Sequence, residues 1–217
     1  MPTKRSQRLP ATRKGTIATP YHKGNVAALL YAAAEKILKY ETVEAITARR
    51  LCREVGVTAA NFYNHYPSLE YLLLEIASNG FERRLRDSQK ILKQGLPREE
   101  ALVMLVHKTV DFALENAQLF RIMFGQIHDT SINPRYAIAS EESFRTLIHI
   151  VYGEDIYRSS DIAWSHEHCQ KGYAFFSFSY GLALAISRPI FSNPSGTKAG
   201  RRAFIEDLTH TFLRGLL

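Results

Sequence analysis

Apolar residues recur along most of this chain at intervals of three and four positions, which is the period of one helix face. In the first such run, residues 25–39, Val26, Leu30 and Ile37 lie on one side. No stretch alternates apolar and polar positions with the β-branched residues typical of a strand. The pattern predicts an all-α protein of about nine helices, at residues 25–39, 47–54, 58–64, 68–93, 97–115, 117–124, 140–152, 161–187 and 198–217, with a loop at 126–137.

Residues 46–72 have the pattern of a helix-turn-helix, in which one short helix packs across a second. Leu51, Val57 and Phe62 are apolar at spacings that bury them between the two helices. Gly56 suits a turn that needs a positive φ, and Tyr66 is expected to pack beneath the motif. Thr58 can cap the second helix, whose outer positions stay small or polar: Thr58, Ala59, Ala60, Asn61, Tyr63, Asn64 and His65. A helix of this type enters the DNA major groove.

The positive charge of the chain is concentrated at its amino terminus. The net charge is +7 over 217 residues. Residues 1–23 contain six Lys or Arg side chains, and the first acidic residue is Glu35. A basic arm beside a helix-turn-helix favours a polyanionic partner, although a disordered, solubilising tail would have the same composition. We therefore expect a flexible basic arm at residues 1–22, a DNA-binding domain at 23–67 and a helical domain at 68–217.

The cysteines and the most apolar segment indicate a cytoplasmic protein that does not enter a membrane. Cys52 and Cys169 lie far apart in the sequence, as expected for reduced thiols, and the amino terminus lacks an apolar signal segment. The most apolar run, residues 173–186, is shorter than the ~20 residues that cross a bilayer. Ser177 and Gly181 also interrupt it, so we expect a helix that is buried on several sides.

No pattern typical of catalysis or of a metal site is present in the sequence. It contains no glycine-rich phosphate loop and no nucleophile elbow, and the carboxylates are scattered, so we do not expect an enzyme. His166, His168 and Cys169 could suggest zinc, but helical positions two apart point about 200° away from each other. We therefore expect neither a metal ion nor a cofactor.

Three segments resemble the TetR family of bacterial transcription regulators. They are YHKGNVAALLYAAAEKIL at 21–38, ITARRLCREVGVTAANFYNHYPSLEYLL at 46–73, and HKTVDFALENAQLFRIMF at 107–124. The third is similar to a branch whose carboxy-terminal domain has a Trp and a His before a Gly in the penultimate helix. Here Phe176 and Tyr180 stand at those spacings before Gly181. The chain also departs from the family at Leu69, where Lys is usual, and at residues 40–41, where Gly is usual.

The resemblance implies which residues contact DNA. Tyr63 and His65, at the end of the second motif helix, would donate hydrogen bonds to phosphates, which fix the register of the protein on the duplex. Base recognition would include Asn side chains, which can bind adenine, although Asn61 could also be ordinary helix surface. The full set of expected contacts is Thr47, Arg49, Arg50, Thr58, Ala59, Ala60, Asn61, Tyr63, Asn64 and His65.

The resemblance also implies a homodimer and a small-molecule effector. Two subunits would pair through the last two helices, 161–187 and 198–217, in a four-helix bundle. This would place two recognition helices about 34 Å apart, in successive major grooves. The effector would be largely apolar or aromatic, with expected contacts at Met104, His107, Phe112, Phe120, Met123, Phe144, Tyr173, Phe176 and Tyr180. Each of these side chains could instead be an ordinary core residue.

The sequence thus predicts a dimeric regulator, most simply a repressor that leaves its double-stranded DNA operator when a ligand moves the helix at 68–93. Two alternatives remain open. One is a protein that stays bound to DNA and uses its second domain to contact another protein. The other is an all-α enzyme, for which no arrangement of residues argues.

Overall fold

A computed structural model describes residues 25–127, 129–153, 166–188 and 196–216. Within these ranges the protein has nine α-helices and no β-strand, which confirms the all-α prediction. The expected arm at residues 1–22 lies outside the described residues. The helices are α1 (Val26–Tyr40), α2 (Ala48–Val55), α3 (Ala59–Tyr63), α4 (Leu69–Lys93), α5 (Arg98–Glu115), α6 (Ala117–Arg121), α7 (Pro134–Tyr152), α8 (His166–Ser187) and α9 (Lys198–Leu216).

Helices α1 to α3 form a three-helix unit with an apolar centre. Leu30, Leu51 and Phe62, one from each helix, are fully excluded from solvent. Tyr66 follows α3, and its hydroxyl donates a hydrogen bond to the carbonyl oxygen of Ala27 over 3.0 Å. The expectation that Tyr66 packs beneath the motif is therefore confirmed, and this bond fastens the end of α3 to α1.

Helix α4 connects the three-helix unit to the rest of the chain. Ser68 caps it by accepting a hydrogen bond from the amide of Tyr71 over 3.1 Å. Leu69, at its first position, is partly buried against the core. The most extensive contacts of α4 are with α7, and it also packs against α5 and α6. A movement of α4 would therefore change contacts both in the three-helix unit and in the helices that follow α4.

Helix α7 begins earlier than the sequence predicts. The predicted loop at 126–137 is wrong at its end, since α7 starts at Pro134. Asn133 caps the helix by accepting a hydrogen bond from the amide of Tyr136 over 3.1 Å. Proline fits the first helical position because the N–H that it lacks would have no partner inside the helix. The Asn-Pro pair is thus a helix start.

Helices α8 and α9 pack beside α5 and against each other. Phe178 of α8 stacks on Phe212 of α9, with 4.2 Å between the ring centroids. The prediction that residues 173–186 are buried on several sides is wrong for one face, because Tyr173 is 56% exposed while Phe175 is fully buried. In the ranges that the structure describes, no helix combines the length and apolarity needed to cross a membrane.

Candidate nucleic-acid interface and effector cavity

The turn between α2 and α3 is built by local sequence. Gly56 has φ +77°, which any residue with a Cβ adopts at a cost, and the amide of Val57 bonds back to the carbonyl of Cys52 over 2.9 Å. Thr58 then caps α3 by accepting a hydrogen bond from the amide of Asn61 over 3.3 Å. These bonds fix the angle at which α3 leaves α2.

One side of α3 is open to solvent. Phe62 faces inward and is fully buried, whereas the adjacent Tyr63 is 57% exposed. Asn61 is half-buried at the edge of this surface. The exposed residues, which we call the α3 outer face, are Thr58, Ala59, Ala60, Tyr63, Asn64 and His65. The structure thus brings the expected contacts of the second motif helix together on a surface that a groove of DNA can approach.

The two adjacent arginines at the start of α2, Arg49 and Arg50, have different surroundings. Arg49 is exposed. Arg50 is paired with Glu41 at 2.6 Å and with Glu54 at 3.0 Å, and these carboxylates raise the pKa of its guanidinium. Arg50 therefore joins the end of α1 to α2, and two carboxylates already balance its charge, which leaves it less available to DNA than Arg49. Thr47 is exposed and caps α2 by accepting a hydrogen bond from the Arg50 amide over 3.1 Å.

A cavity of about 330 Å³ lies between α4, α5, α7 and α8. Its volume is at the low end of the roughly 300–1,000 Å³ of small-molecule sites. Aromatic rings dominate the wall, and Phe81 meets the Phe124 and Tyr136 rings edge-on at 5.3 and 5.5 Å. The lining residues are Phe81, Arg84, Ser88, Leu105, Met123, Phe124, Tyr136, Ser140, Ser143, Phe144, Leu147, Tyr173 and Phe176.

Four of the nine expected ligand contacts line this cavity: Met123, Phe144, Tyr173 and Phe176. The other five lie elsewhere. Phe120 and Tyr180 stack on each other with 5.4 Å between their centroids, and Phe112 lies under two arginines of α4. His107 faces α9, where burial and the charge of Arg202 lower its pKa. Met104 contacts the side-chain amide of Gln94.

The sequence reading missed the polar members of the wall. Tyr136, Ser140, Ser143 and Leu147 follow one another at helical spacing on α7, so one stripe of that helix faces the cavity. The stripe was hidden because its first residue fell in the predicted loop. Arg84 lies on α4, and no sequence pattern marks it as a cavity residue, since a single Arg on a long helix ordinarily faces water.

Two sets of contacts connect the cavity wall to the three-helix unit. The first runs through α6, which ends two residues before Met123. Arg121 pairs with Glu44 at 2.8 Å, and Gln118 accepts a hydrogen bond from the amide of Val43 over 3.2 Å. Val43 and Glu44 lie just before Thr47, the cap of α2. These contacts join α6 directly to the segment that precedes the helix-turn-helix.

The second set runs through the start of α7, next to Tyr136. Arg135 pairs with Glu75 and with Glu82 of α4, each at 2.8 Å. It also donates to the amide oxygen of Asn79, whose nitrogen donates to the hydroxyl of Tyr31 in α1. Polar side chains therefore join α7, α4 and α1 in one network.

No clustered metal-binding side chains occur in the part of the chain that the structure describes. The side chains of His166, His168 and Cys169 lie outside it.

No model of a known protein family matches the chain. The uncharacterized HTH-type transcriptional regulator YobS of Bacillus subtilis strain 168 is 26% identical over 188 residues, which cover 85% of this chain and 89% of that protein. A protein of unknown function from Rhodococcus sp. RHA1 has a similar structure, with a TM-score of 0.70 and 24% identity, over 91% of this chain and 98% of that one.

The structure of Thermus thermophilus FadR, a TetR-family transcriptional repressor in complex with lauroyl-CoA, is also similar. Its TM-score is 0.57 at 18% identity, over 88% of this chain and 92% of that one. The chain therefore has the fold of the TetR family, as the resemblance in its sequence implied. YobS and FadR are described as transcriptional regulators, in agreement with the prediction of a regulator for this chain.

Proposed function

We propose that this protein is a dimeric, sequence-specific DNA-binding repressor that leaves its operator when a small, largely apolar molecule occupies the cavity between α4, α5, α7 and α8. The observation that carries the proposal is the α3 outer face, which is exposed and small or polar although α3 is packed firmly from behind. A short exposed helix held behind a tight turn is the arrangement that presents a recognition helix to the DNA major groove. The lauroyl-CoA bound to Thermus thermophilus FadR is consistent with an apolar effector for this fold.

On this proposal, phosphates and bases are bound by different parts of the α3 outer face. The hydroxyl of Tyr63 and the ring of His65 would donate to phosphate oxygens and set the register. Asn64 would bind a base edge in the major groove, and Ala59 and Ala60 are small enough to approach a thymine methyl. Arg49 is an exposed cation of α2 and would add a phosphate contact.

One helix of this length can read only a few base pairs, so an operator of useful length requires two subunits. We propose that α8 and α9 form the dimer interface. Tyr173, Ser177 and Gly181 are exposed at intervals of four residues along α8, which gives this helix an open stripe of mostly small residues. Such a stripe favours close packing against a second copy of the helix.

Release would begin where a ligand meets the wall at Met123 and Phe124, just after the end of α6. A shift of α6 would act on Val43 through Gln118 and on Glu44 through Arg121, and so move the start of α2. A ligand shifts this equilibrium only by the difference between its affinities for the released and the DNA-bound states. The effector is therefore a molecule that fits the cavity better in the released state.

The test begins with full-length protein and fragments of the source genome, followed by footprinting of the fragments that are retained. Gel shifts on the footprinted site then compare wild type with Tyr63→Ala. We expect this change to weaken binding to all sequences. It should also reduce the steepness of the plot of log binding constant against log salt concentration by about one unit, as for one lost phosphate contact. Tyr40→Ala is the matched control. Tyr40 is also an exposed tyrosine, at 73%, but it lies at the end of α1 beside α6 and not on the α3 outer face.

Retention of random and genomic fragments with equal affinity would contradict sequence-specific binding. If the protein binds one site tightly and no apolar small molecule weakens this binding, the protein is instead a regulator that stays on DNA. Sedimentation at the concentrations of the gel shift gives the number of subunits, and a monomer on the operator would contradict the dimer.

A further inference from the structure

The cavity wall is electrically unbalanced. Its thirteen lining residues include one cation, Arg84, and these described residues include no Asp or Glu. The remaining polar groups are three serine hydroxyls and the hydroxyls of Tyr136 and Tyr173, and the Tyr136 hydroxyl already donates to the carbonyl of Met123 over 2.7 Å. An otherwise aromatic pocket thus presents a single positive charge to its contents.

Arg84 has few partners for a side chain in the protein interior. One terminal nitrogen donates to the hydroxyl of Thr109 over 2.8 Å, and Thr109 itself donates to the Leu105 carbonyl over 2.8 Å. The guanidinium carbon lies 5.7 Å from the centre of the Phe112 ring. A guanidinium has five N–H donors, so most of the donors of Arg84 have no hydrogen-bond partner among the described residues.

No described carboxylate neutralises this charge by direct pairing. Asp87, one turn along α4, acts on Arg84 from a distance, but it forms its own ion pair with Lys90 at 3.1 Å. Burial lowers the pKa of the Arg84 guanidinium to about 10, which still leaves it protonated at neutral pH. A half-buried, protonated cation with no carboxylate partner is costly unless something balances it, and the cavity is the space from which a counter-charge can come.

We propose that the cavity selects an apolar molecule that carries one anionic group, of which a carboxylate is the ordinary biological form. The anion binds Arg84, and the apolar body lies among the Phe81, Phe124 and Phe176 rings. Guanidinium and carboxylate match in shape, so the free N–H donors can bind both oxygens at once. This inference rests on the proposed use of the cavity as the effector site, and it adds the chemical class of the effector.

The test uses two fluorescent probes that differ by one sulfonate. They are 8-anilino-1-naphthalenesulfonate, an anion, and N-phenyl-1-naphthylamine, its neutral counterpart, titrated into the full-length protein at neutral pH. We expect the anion to bind about 10- to 100-fold more tightly, the ratio that one charge-assisted hydrogen bond supplies. Decanoate should displace the anionic probe from a single site per chain, and decan-1-ol should do so at least about tenfold less well.

Arg84→Gln should bring the two probe affinities within about threefold, because the glutamine amide carries no charge. Arg83→Gln is the matched control, since Arg83 is an exposed neighbour on α4 that does not line this cavity. It should leave the ratio unchanged. Arg84→Lys keeps the charge and should keep most of the preference, so it remains informative if the Gln variant does not fold.

Equal affinities in the wild type, no binding of the anionic probe, or a preference that survives in Arg84→Gln would each overturn the proposal. Gel shifts with decanoate separate it from the proposed function. If decanoate binds through Arg84 but leaves operator binding unchanged, the ligand class stands and release by ligand fails. If the probes show no preference for the anion while DNA is bound and released by neutral apolar molecules, the ligand class alone fails.

Discussion

Replacing Arg135 by Met removes the centre of the network that joins α7 to α4. The change breaks ion pairs with Glu75 and Glu82, each at 2.8 Å, and the hydrogen bond to Asn79. Burial disfavours the charge of Arg135, but the two carboxylates outweigh this effect and raise the pKa of the guanidinium. The network therefore stabilises the fold at neutral pH, and its loss leaves two carboxylates without their partner.

The exposure of the three side chains sets the size of the effect. Breaking a fully buried pair costs about 3–5 kcal/mol, and breaking an exposed one costs about 0.2–1 kcal/mol. The side chains of Arg135, Glu75 and Glu82 are 41%, 21% and 34% exposed, so solvent screens them substantially. We expect a loss of roughly 1.5–2.5 kcal/mol in the free energy of unfolding, between the two limits. For a chain of this size that corresponds to a decrease of roughly 3–10 °C in Tm.

Urea unfolding at 25 °C and pH 7, followed by circular dichroism, measures the loss. A double-mutant cycle with Glu82→Gln isolates the direct pair, for which we expect a coupling energy of about 0.5–1.5 kcal/mol. Arg145→Met is the matched control, because Arg145 also lies on α7 and pairs with Glu141 one turn away at 2.7 Å. A helical surface pair of this kind should contribute about 0.5 kcal/mol or less.

A loss for Arg135→Met no greater than that for Arg145→Met would refute the reasoning. A coupling energy of zero between Arg135 and Glu82 would do so as well, because the carboxylate would then be indifferent to its partner. If instead both single variants are strongly destabilised and the double mutant regains stability, then the cost of each single change comes from the charge that it leaves unpaired.

Three further predictions concern single side chains. Gly56→Ala should cost about 1 kcal/mol in thermal unfolding, because Gly56 has φ +77°; an unchanged Tm would show that the turn relaxes freely. Gly80→Ala should destabilise the fold by roughly 1–3 kcal/mol and weaken probe binding in the cavity, since its Cβ would lie 2.5 Å from the Met123 sulfur; undiminished binding would place the ligand elsewhere. Asn64→Ala should change operator preference in competitive gel shifts while Tyr63→Ala lowers affinity for every sequence, and identical preference profiles would remove Asn64 from base recognition.

The helix-turn-helix could be predicted from sequence because its determinants are local. The positive φ of Gly56, the cap at Thr58 and the inward position of Phe62 each depend on neighbours within a few residues. The same holds for Ser68 at the start of α4. Where a cap and a proline act together, as at residues 133 and 134, local rules would also have given the helix start. That start was missed because Asn-Pro is more often part of a loop.

The cavity and the fate of Arg50 could not be predicted, because both depend on contacts between distant residues. Whether an aromatic residue of α5 to α8 faces the cavity or the core depends on how the helices are rotated against one another. Phe120 and Phe124 are four positions apart, but Phe124 lines the cavity while Phe120 stacks on Tyr180. The pairing of Arg50 could not be predicted because its partner Glu41 follows the end of α1, and the approach of that residue to α2 depends on how the two helices pack.

The two connections between the cavity and the three-helix unit differ in strength, and this difference favours one route for the ligand signal. Arg121 and Glu44 form an ion pair in which the two side chains are 31% and 56% exposed. Separating an exposed pair of this kind costs about 0.2–1 kcal/mol. The carboxylates of the Arg135 network, Glu75 and Glu82, are less exposed than Glu44, and several bonds hold α7 and α4 together there. A ligand with a few kcal/mol of preference would move the weaker connection first, so we infer that α6 shifts while α4 and α7 stay joined. Because a pair that separates cannot pull Glu44, the hydrogen bond from the Val43 amide to Gln118 would carry the shift of α6 to the start of α2, and the α3 outer face would turn with it.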